Sequence, residues 1–198
     1  MDDLRDEANR EKVAEALRER RPDVIGVSGF SVQTNRLFED LKKLIEDKEI
    51  TVQGEEKEER SPIEVLFIND EVARLYQHSE RAKHEHPDLA PLTKYCCALA
   101  RYVQSPVLEY AALGKDIVSI SFHPAQNLLS EEKLMKTLDM AMVDMVNLCG
   151  VYLNDAASKP YIANLLPYVC GLGPRKAAHV LKMMSANVSV SPLCGKLN

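Results

Sequence analysis

The chain has 198 residues, of which 45% are hydrophobic and 28% charged, so it can bury a core as one domain or as two small ones. Its net charge of −5 argues against a general nucleic-acid coat, and no apolar run approaches the length of a membrane span. The charged N-terminal run lacks the apolar core of a signal peptide, which indicates an intracellular location, cytosolic or nuclear.

The first part of the chain predicts helices alternating with strands. An amphipathic helix rich in Glu, Arg and Ala is predicted over residues 2–20. Residues 23–29 and 63–69 are short apolar runs, and both predict strands. Because the first run is continuous and flanked by helices, we expect it to be buried on both faces of an α/β sheet. Ser31 is the predicted cap of the helix that follows it. The predicted buried face of that helix consists of Leu37, Leu41, Leu44 and Ile45.

Polar stretches separate the next elements. Residues 51–62 and 81–91 are mostly charged or polar and predict solvated loops. Asp70 and Glu71 begin a predicted helical turn that reaches Ser79. A longer helix with a further piece ending at Gly114 comes next. Its predicted buried face consists of Leu92, Tyr95, Cys96, Leu99, Tyr102 and Val103.

An extended segment and a long helix are predicted after Gly114. The β-branched content of residues 116–122 favours extended backbone. Ser130 followed by two glutamates favours a helix start, and Gly150 ends that helix. We interpret its methionine-rich face as core, because Met fills core gaps more often than it forms a binding groove. The predicted face consists of Leu134, Leu138, Ala141, Met142, Met145 and Leu148.

Residues 156–169 and 174–184 predict the two helices of a helix-hairpin-helix. Between them, Gly171 can adopt positive φ, Gly173 keeps the turn tight, and Pro174 suits a first helical position. Unpaired N–H groups at the second helix, beside basic side chains, would form a site for an anion such as phosphate. The predicted nucleic-acid-binding residues are Gly171, Leu172, Gly173, Pro174, Arg175 and Lys176. A plain helical corner remains the alternative, because Gly-x-Gly motifs are common.

The charge distribution favours contact with a polyanion at this hairpin alone. Residues 151–185 carry four basic side chains and one acidic side chain, for a net charge of +3, and Lys196 adds one positive charge. Since the whole chain carries −5, the first 150 residues carry −9. A mildly basic hairpin therefore follows an acidic first part.

No catalytic or metal site is predicted, and no cofactor. Asp70 and Glu71 follow the second strand, where an RNase H-type nuclease could use them, but one acidic pair cannot hold two divalent ions. The histidines of the polar loop lack further ligands at a fitting spacing. The five cysteines show no zinc or disulfide spacing and are interpreted as reduced, buried thiols.

Five segments of the chain are distinctive together: Pro22 to Gly29, Ala98 to Pro106, Phe122 to Gln126, Val143 to Val151 and Pro160 to Ala177. They closely resemble the Spt-six family of eukaryotic transcription elongation factors and histone chaperones, a relative of bacterial Tex. The resemblance extends over roughly residues 10 to 185. Tyr152 departs from it, since an Asp is usual there.

The resemblance implies residues 1–115 as part of a YqgF domain, an RNase H-like fold without the full set of catalytic acids. It implies residues 116–185 as the start of a helix-hairpin-helix domain, followed by an irregular tail over residues 186–198. Because the family has strands before the position of Met1 and domains after the hairpin, we expect a central piece of a larger protein.

The implied function is non-enzymatic and nuclear. The implied partners are RNA polymerase II, histones or nucleosomes, and the DNA or RNA backbone, with no membrane partner. Binding through the hairpin is expected to be weak and sequence-independent. Two alternatives remain: a YqgF-type nuclease related to Holliday-junction resolvases, and an interaction module whose hairpin meets no nucleic acid.

Overall fold

The computed structural model describes residues 4, 6–29, 31–53, 60–186 and 196–197. The chain divides into two compact units, residues 1–70 and residues 71–198. The domain boundary predicted after residue 115 concerns family resemblance rather than compactness, and it stays a prediction.

Residues 1–70 contain two helices and four strands among the described residues. Arg21, in the left-handed region with a φ of 46°, ends the first helix next to Pro22. Ser31 caps the second helix as predicted, since its hydroxyl accepts a hydrogen bond from the Thr34 amide at 3.1 Å. The elements are α1 (Glu7–Arg20), β1 (Val24–Ser28), α2 (Val32–Asp47), β2 (Thr51–Gln53), β3 (Arg60–Pro62) and β4 (Glu64–Ile68).

The two predicted strands, β1 and β4, pair in parallel, from Val24 opposite Glu64 to Ser28 opposite Ile68. Burial on both faces was a wrong expectation: Val27 is buried, whereas Gly26 is exposed and Phe67 is 49% exposed. The reason is that the described part of this sheet has only two strands. One face of it packs in a core with α2.

Two further expectations for residues 1–70 were wrong. The ends of the predicted loop over residues 51–62 pair as the antiparallel strands β2 and β3, and residues 54–59 lie outside the described residues. On α2, Leu37 is exposed and Phe38 is buried in its place. Phe38 stacks on Phe67 with ring centroids 4.1 Å apart, which places it against β4.

Residues 71–198 are mainly helical over the described part. The α-helices are α3 (Glu71–Tyr76), α4 (Glu80–Glu85), α5 (Pro91–Gln104), α6 (Pro106–Leu113), α7 (Glu131–Cys149), α8 (Leu153–Ser158), α9 (Pro160–Ala163) and α10 (Gly173–Ala186). Short 3₁₀-helices cover Gly114–Ser119, Gln126–Leu128 and Leu166–Tyr168. Strands β5 (Val151–Tyr152) and β6 (Lys196–Leu197) form an antiparallel pair.

Two segments adopt helix where the sequence predicted none. The predicted polar loop over residues 81–91 contains α4, which Ser79 caps by accepting from the Ala82 amide at 3.1 Å. The predicted extended segment over residues 116–122 is largely a 3₁₀-helix. Ile117 in this helix and Ile120, the extended residue just after it, are both buried.

The buried faces of α5 and α7 agree only in part with the predicted ones. Leu99 and Met142 are buried as predicted, but on α5 Leu92 is 71% exposed and Ala98, which was not predicted, is buried. On α7, Leu148 is 80% exposed and Met145 is also exposed. Met142 and Val146, four residues apart, form its fully buried stripe. Both helices exist as predicted, but the core meets each of them on a rotated face.

The prediction of one continuous helix over residues 156–169, the first helix of the hairpin, is wrong. This segment is broken into α8, α9 and a 3₁₀-helix. Lys159 adopts extended angles, φ −124° and ψ 105°, because the residue before a proline is disfavoured in the helical region. The tail is not wholly irregular either, since Lys196 and Leu197 form β6; residues 187–195 lie outside the described residues.

Candidate nucleic-acid interface

The turn before α10 has the backbone geometry that its glycines predicted. Val169 is extended, and its carbonyl accepts a hydrogen bond from the Leu172 amide at 3.0 Å. Gly171 has a φ of 81°, the value required at the third position of a type II turn, and Gly173 has a φ of 63° where α10 begins. L-residues with side chains rarely adopt such angles, so both positions favour glycine.

Packed side chains anchor both ends of this turn. Leu166 and Val169 on one side and Ala177 on the other are buried in one core cluster. Val146 of α7 belongs to the same cluster. The turn is therefore fixed by the core beneath it, while Gly171, Pro174, Arg175 and Lys176 are exposed to solvent.

The exposed side of the turn carries positive charge and open backbone. Lys176 donates from Nζ to the Gly171 carbonyl at 3.0 Å, which places its ammonium group beside the turn. A Cβ added at Gly171 or Gly173 would meet nothing within 4 Å, so an approaching group finds space there. The first N–H groups of a helix lack intrahelical partners, and because Pro174 has no N–H, those of Gly173 and Arg175 remain at the start of α10. Backbone donors and the Lys176 ammonium group therefore lie beside the turn, and Arg175, next to Lys176 in the chain, is exposed; this combination suits an anion.

Asn147 of α7 is a residue of this site that the sequence analysis missed. Its Oδ1 accepts from the Cys170 amide at 3.0 Å, and its Nδ2 donates to the Tyr168 carbonyl at 3.0 Å. Burial and the charge of Asp139 raise the pKa of the adjacent Tyr168 hydroxyl, which stays protonated. The available signal was the amide side chain itself, which lies between Val146 and Leu148 on a helix predicted to pack in the core. Asn is a poor helix former, so its presence there indicates a role for the side chain.

Of the acidic pair considered for catalysis, Glu71 makes a structural hydrogen bond. Glu71 begins α3, as acids do at helix starts, and its Oε2 accepts a hydrogen bond from the Ser121 amide at 2.9 Å. Asp70 is buried. Helix α5 carries neither Asp nor Glu. The described residues include no group of three or more His, Cys, Asp or Glu that could hold a metal ion.

The histidines and cysteines differ from their predicted settings. His84 lies within α4 and His86 caps its C-terminus, rather than both lying in a loop. Cys96, Cys149 and Cys170 are free thiols but exposed rather than buried, and Cys97 is half-buried. Cys194 lies outside the described residues. None of the described helices combines the length and the apolarity that crossing a membrane requires.

Residues 1–114 match the family model described as Holliday-junction resolvase-like of SPT6, and residues 115–191 match that of the helix-hairpin-helix motif. Together they confirm the predicted fold class, a YqgF-type, RNase H-like domain followed by a helix-hairpin-helix.

Curated relatives carry one name. The chain is 57% identical over 190 residues to transcription elongation factor SPT6 of Gibberella zeae, an alignment covering 92% of the chain and 13% of that relative. It is 58% identical over 184 residues to the Aspergillus fumigatus protein of the same name, with 91% and 13% covered. Identity to the Schizosaccharomyces pombe protein is 46% over 184 residues, with 93% and 13% covered. The chain thus spans only 13% of the length of these relatives. Because the SPT6 family model matches more than half of it, the chain belongs to the SPT6 family of transcription elongation factors.

Proposed function

We propose that the chain is a non-enzymatic part of a transcription elongation factor whose hairpin binds the phosphate backbone of DNA or RNA. The proposed contact residues are Gly171, Leu172, Gly173, Pro174, Arg175 and Lys176. Family membership supports the role in elongation. A nuclear location, with RNA polymerase II and histones or nucleosomes as partners of the whole protein, belongs to this proposal.

One observation carries the nucleic-acid part of the proposal: two positive-φ glycines open the backbone at the start of a 14-residue helix beside two exposed cations. The N–H groups of that first turn and the positive end of the helix dipole both favour a phosphate oxygen. Arg175 forms no ion pair with another described residue, so its charge is available to a ligand.

The same geometry predicts weak binding without sequence preference. Backbone N–H groups and short-range contacts from Arg175 and Lys176 reach phosphate oxygens rather than base edges, and phosphate contacts carry no direct sequence information. With two or three charges neutralised, affinity should fall about 10- to 40-fold between about 50 and 200 mM salt.

Charge reversal tests the proposal. Arg175→Glu with Lys176→Glu should weaken binding to labelled single- and double-stranded oligonucleotides of any sequence, measured by fluorescence anisotropy. Lys133→Glu with Lys136→Glu is the matched control, because both lysines are exposed on α7 and the change in net charge is the same. Equal losses from the two pairs would show only a net-charge effect and refute the site.

The non-enzymatic part of the proposal is supported by the use of Glu71 as a hydrogen-bond acceptor for the Ser121 amide and by the absence of acids on α5. A nuclease is the alternative that the resolvase-like description of the family favours. Incubation with branched and single-stranded nucleic acids in Mg²⁺ separates the two. Cleavage that disappears on Asp70→Asn or Glu71→Gln would establish the nuclease instead.

A further inference from the structure

Asn147 connects α7 to the backbone immediately before the hairpin turn. Its Oδ1 accepts from the Cys170 amide at 3.0 Å, and its Nδ2 donates both to the Tyr168 carbonyl at 3.0 Å and to the Val143 carbonyl of its own helix. The orientation of the amide follows from its partners, because an N–H group needs an acceptor and a carbonyl needs a donor.

This pattern holds residues 168–170 as a neighbouring β-strand would. A strand residue accepts from one residue of its partner and donates to the carbonyl two positions away, and Asn147 does the same with its side chain. The consequence is an extended Val169, with φ −69° and ψ 130°. Val169 in turn supplies the carbonyl that closes the turn onto the Leu172 amide.

Hydrophobic packing does not supply this restraint. Leu166, Val169 and Ala177 fix where the turn begins and where α10 runs, but they do not direct the peptide planes between them. The Cys170 amide and the Tyr168 carbonyl would be left without these partners if the amide of Asn147 were removed. Both peptide planes lie just before Gly171 in the chain. The Gly171 carbonyl accepts a hydrogen bond from Lys176 Nζ.

We infer that Asn147 is a positioning residue for the phosphate site: its side-chain amide orients residues 168–170 and thereby presents the Gly171–Gly173 turn and Lys176 to the ligand. The inference rests on the function proposed above for the turn. Asn147 itself does not contact the nucleic acid in this arrangement. It restricts the turn to fewer conformations in the free protein. Less conformational entropy is then lost when the turn binds its ligand.

Asn147→Leu tests the inference, because leucine has nearly the same size and no hydrogen-bonding atoms. Its affinity for labelled oligonucleotides should be about five- to tenfold weaker than that of the unmodified chain, corresponding to about 1–1.4 kcal/mol. Thr137→Val is the matched control, because Thr137 lies on the same helix and its hydroxyl donates to the Lys133 carbonyl of that helix. It should leave affinity unchanged.

Amide hydrogen exchange supplies a readout that a general loss of stability would not produce. In the unmodified chain the Cys170 amide should be protected although it lies in a turn, and Asn147→Leu should remove protection over residues 168–172 while α5 and α10 keep theirs. If the variant melts too early to be measured, the unmodified chain still decides. A Cys170 amide that exchanges at the rate of an unprotected peptide overturns the inference.

The outcomes separate the inference from the function on which it rests. If Arg175→Glu with Lys176→Glu weakens binding while Asn147→Leu changes neither affinity nor Cys170 exchange, the positioning role is refuted and the phosphate site stands. If the charge reversal has no effect beyond its control, the phosphate site is refuted, and the positioning role with it. Loss of affinity in both variants, with local loss of protection in Asn147→Leu, supports the inference.

Discussion

Substitution of Glu109 should destabilise residues 71–198 more than any surface change. Glu109 of α6 is 1% exposed and lies between two arginines. Arg81 Nη1 and Nη2 lie 3.2 and 3.3 Å from its two oxygens, and Arg101 Nε lies 3.2 Å from Oε1. The Arg101 contact is an ion pair, but the geometry at Nε does not meet the requirements of a hydrogen bond.

The magnitude follows from what would remain after Glu109→Gln. Breaking a buried ion pair by removing one partner typically costs 3–5 kcal/mol, because the other charge stays buried and uncompensated. Here Glu85 still pairs with both arginines, at 2.8 Å to Arg81 and 3.0 Å to Arg101, and the Tyr76 ring lies under both guanidinium groups. We therefore expect a loss of about 2–4 kcal/mol, lower than the full range.

Urea denaturation followed by circular dichroism measures this loss, and Glu80→Gln is its control. The Lys83–Glu80 pair is short, at 2.6 Å, but its side chains are 61% and 87% exposed. Exposed pairs contribute little, so the control should change the free energy of unfolding by less than about 0.5 kcal/mol. Equal effects of the two substitutions would refute the argument that burial makes the Glu109 pairing valuable.

Three further outcomes are expected. Burial alone would raise the pKa of Glu85, but hydrogen bonds from Arg81, Tyr76 and Arg101 outweigh it and hold that pKa below 4.5. A lowered folded pKa contributes stability above 4.5 that is lost as pH falls through the lowered value, so Glu85→Gln should flatten the stability profile as the pH falls below 4.5. Because Phe67 is 49% exposed on a two-stranded sheet, the chain should self-associate with increasing concentration in sedimentation velocity. Phe67→Lys should reduce that association, and a monomer at every concentration would contradict the expectation. Ser31→Ala should lower the free energy of unfolding by about 1 kcal/mol in urea, since the Thr34 amide loses its acceptor.

Single residues at helix ends and in turns correctly predicted where these features occur. Ser31 and Gly150 mark a helix start and a helix end in the structure as in the sequence. Gly171 and Gly173 adopt the positive φ values for which glycine is suited. Each of these features depends on one residue and its nearest neighbours in the chain, so the sequence contains the whole cause.

Composition gave a wrong secondary-structure prediction for a polar segment that forms ion pairs with other helices. Residues 81–91 look like a loop, yet Arg81 pairs with the buried Glu109 carboxylate of α6 and Glu85 pairs with Arg101 of α5, and these ion pairs hold α4 in place. The rotated faces of α5 and α7 have a similar origin. Both helices carry more apolar positions than one face can bury, and only the neighbouring elements select which of them become core.

For the candidate site, the sequence by itself determined the turn and its charges: glycine for positive φ, proline at the start of α10, and Arg175 and Lys176 beside them. The tertiary structure alone decided that Asn147, more than twenty residues earlier, supports the turn. It also decided that Glu71 accepts a hydrogen bond from the Ser121 amide. The physical reason is that a φ preference is a property of one residue, whereas a side-chain hydrogen bond to distant backbone exists only after packing brings the two segments within 3 Å.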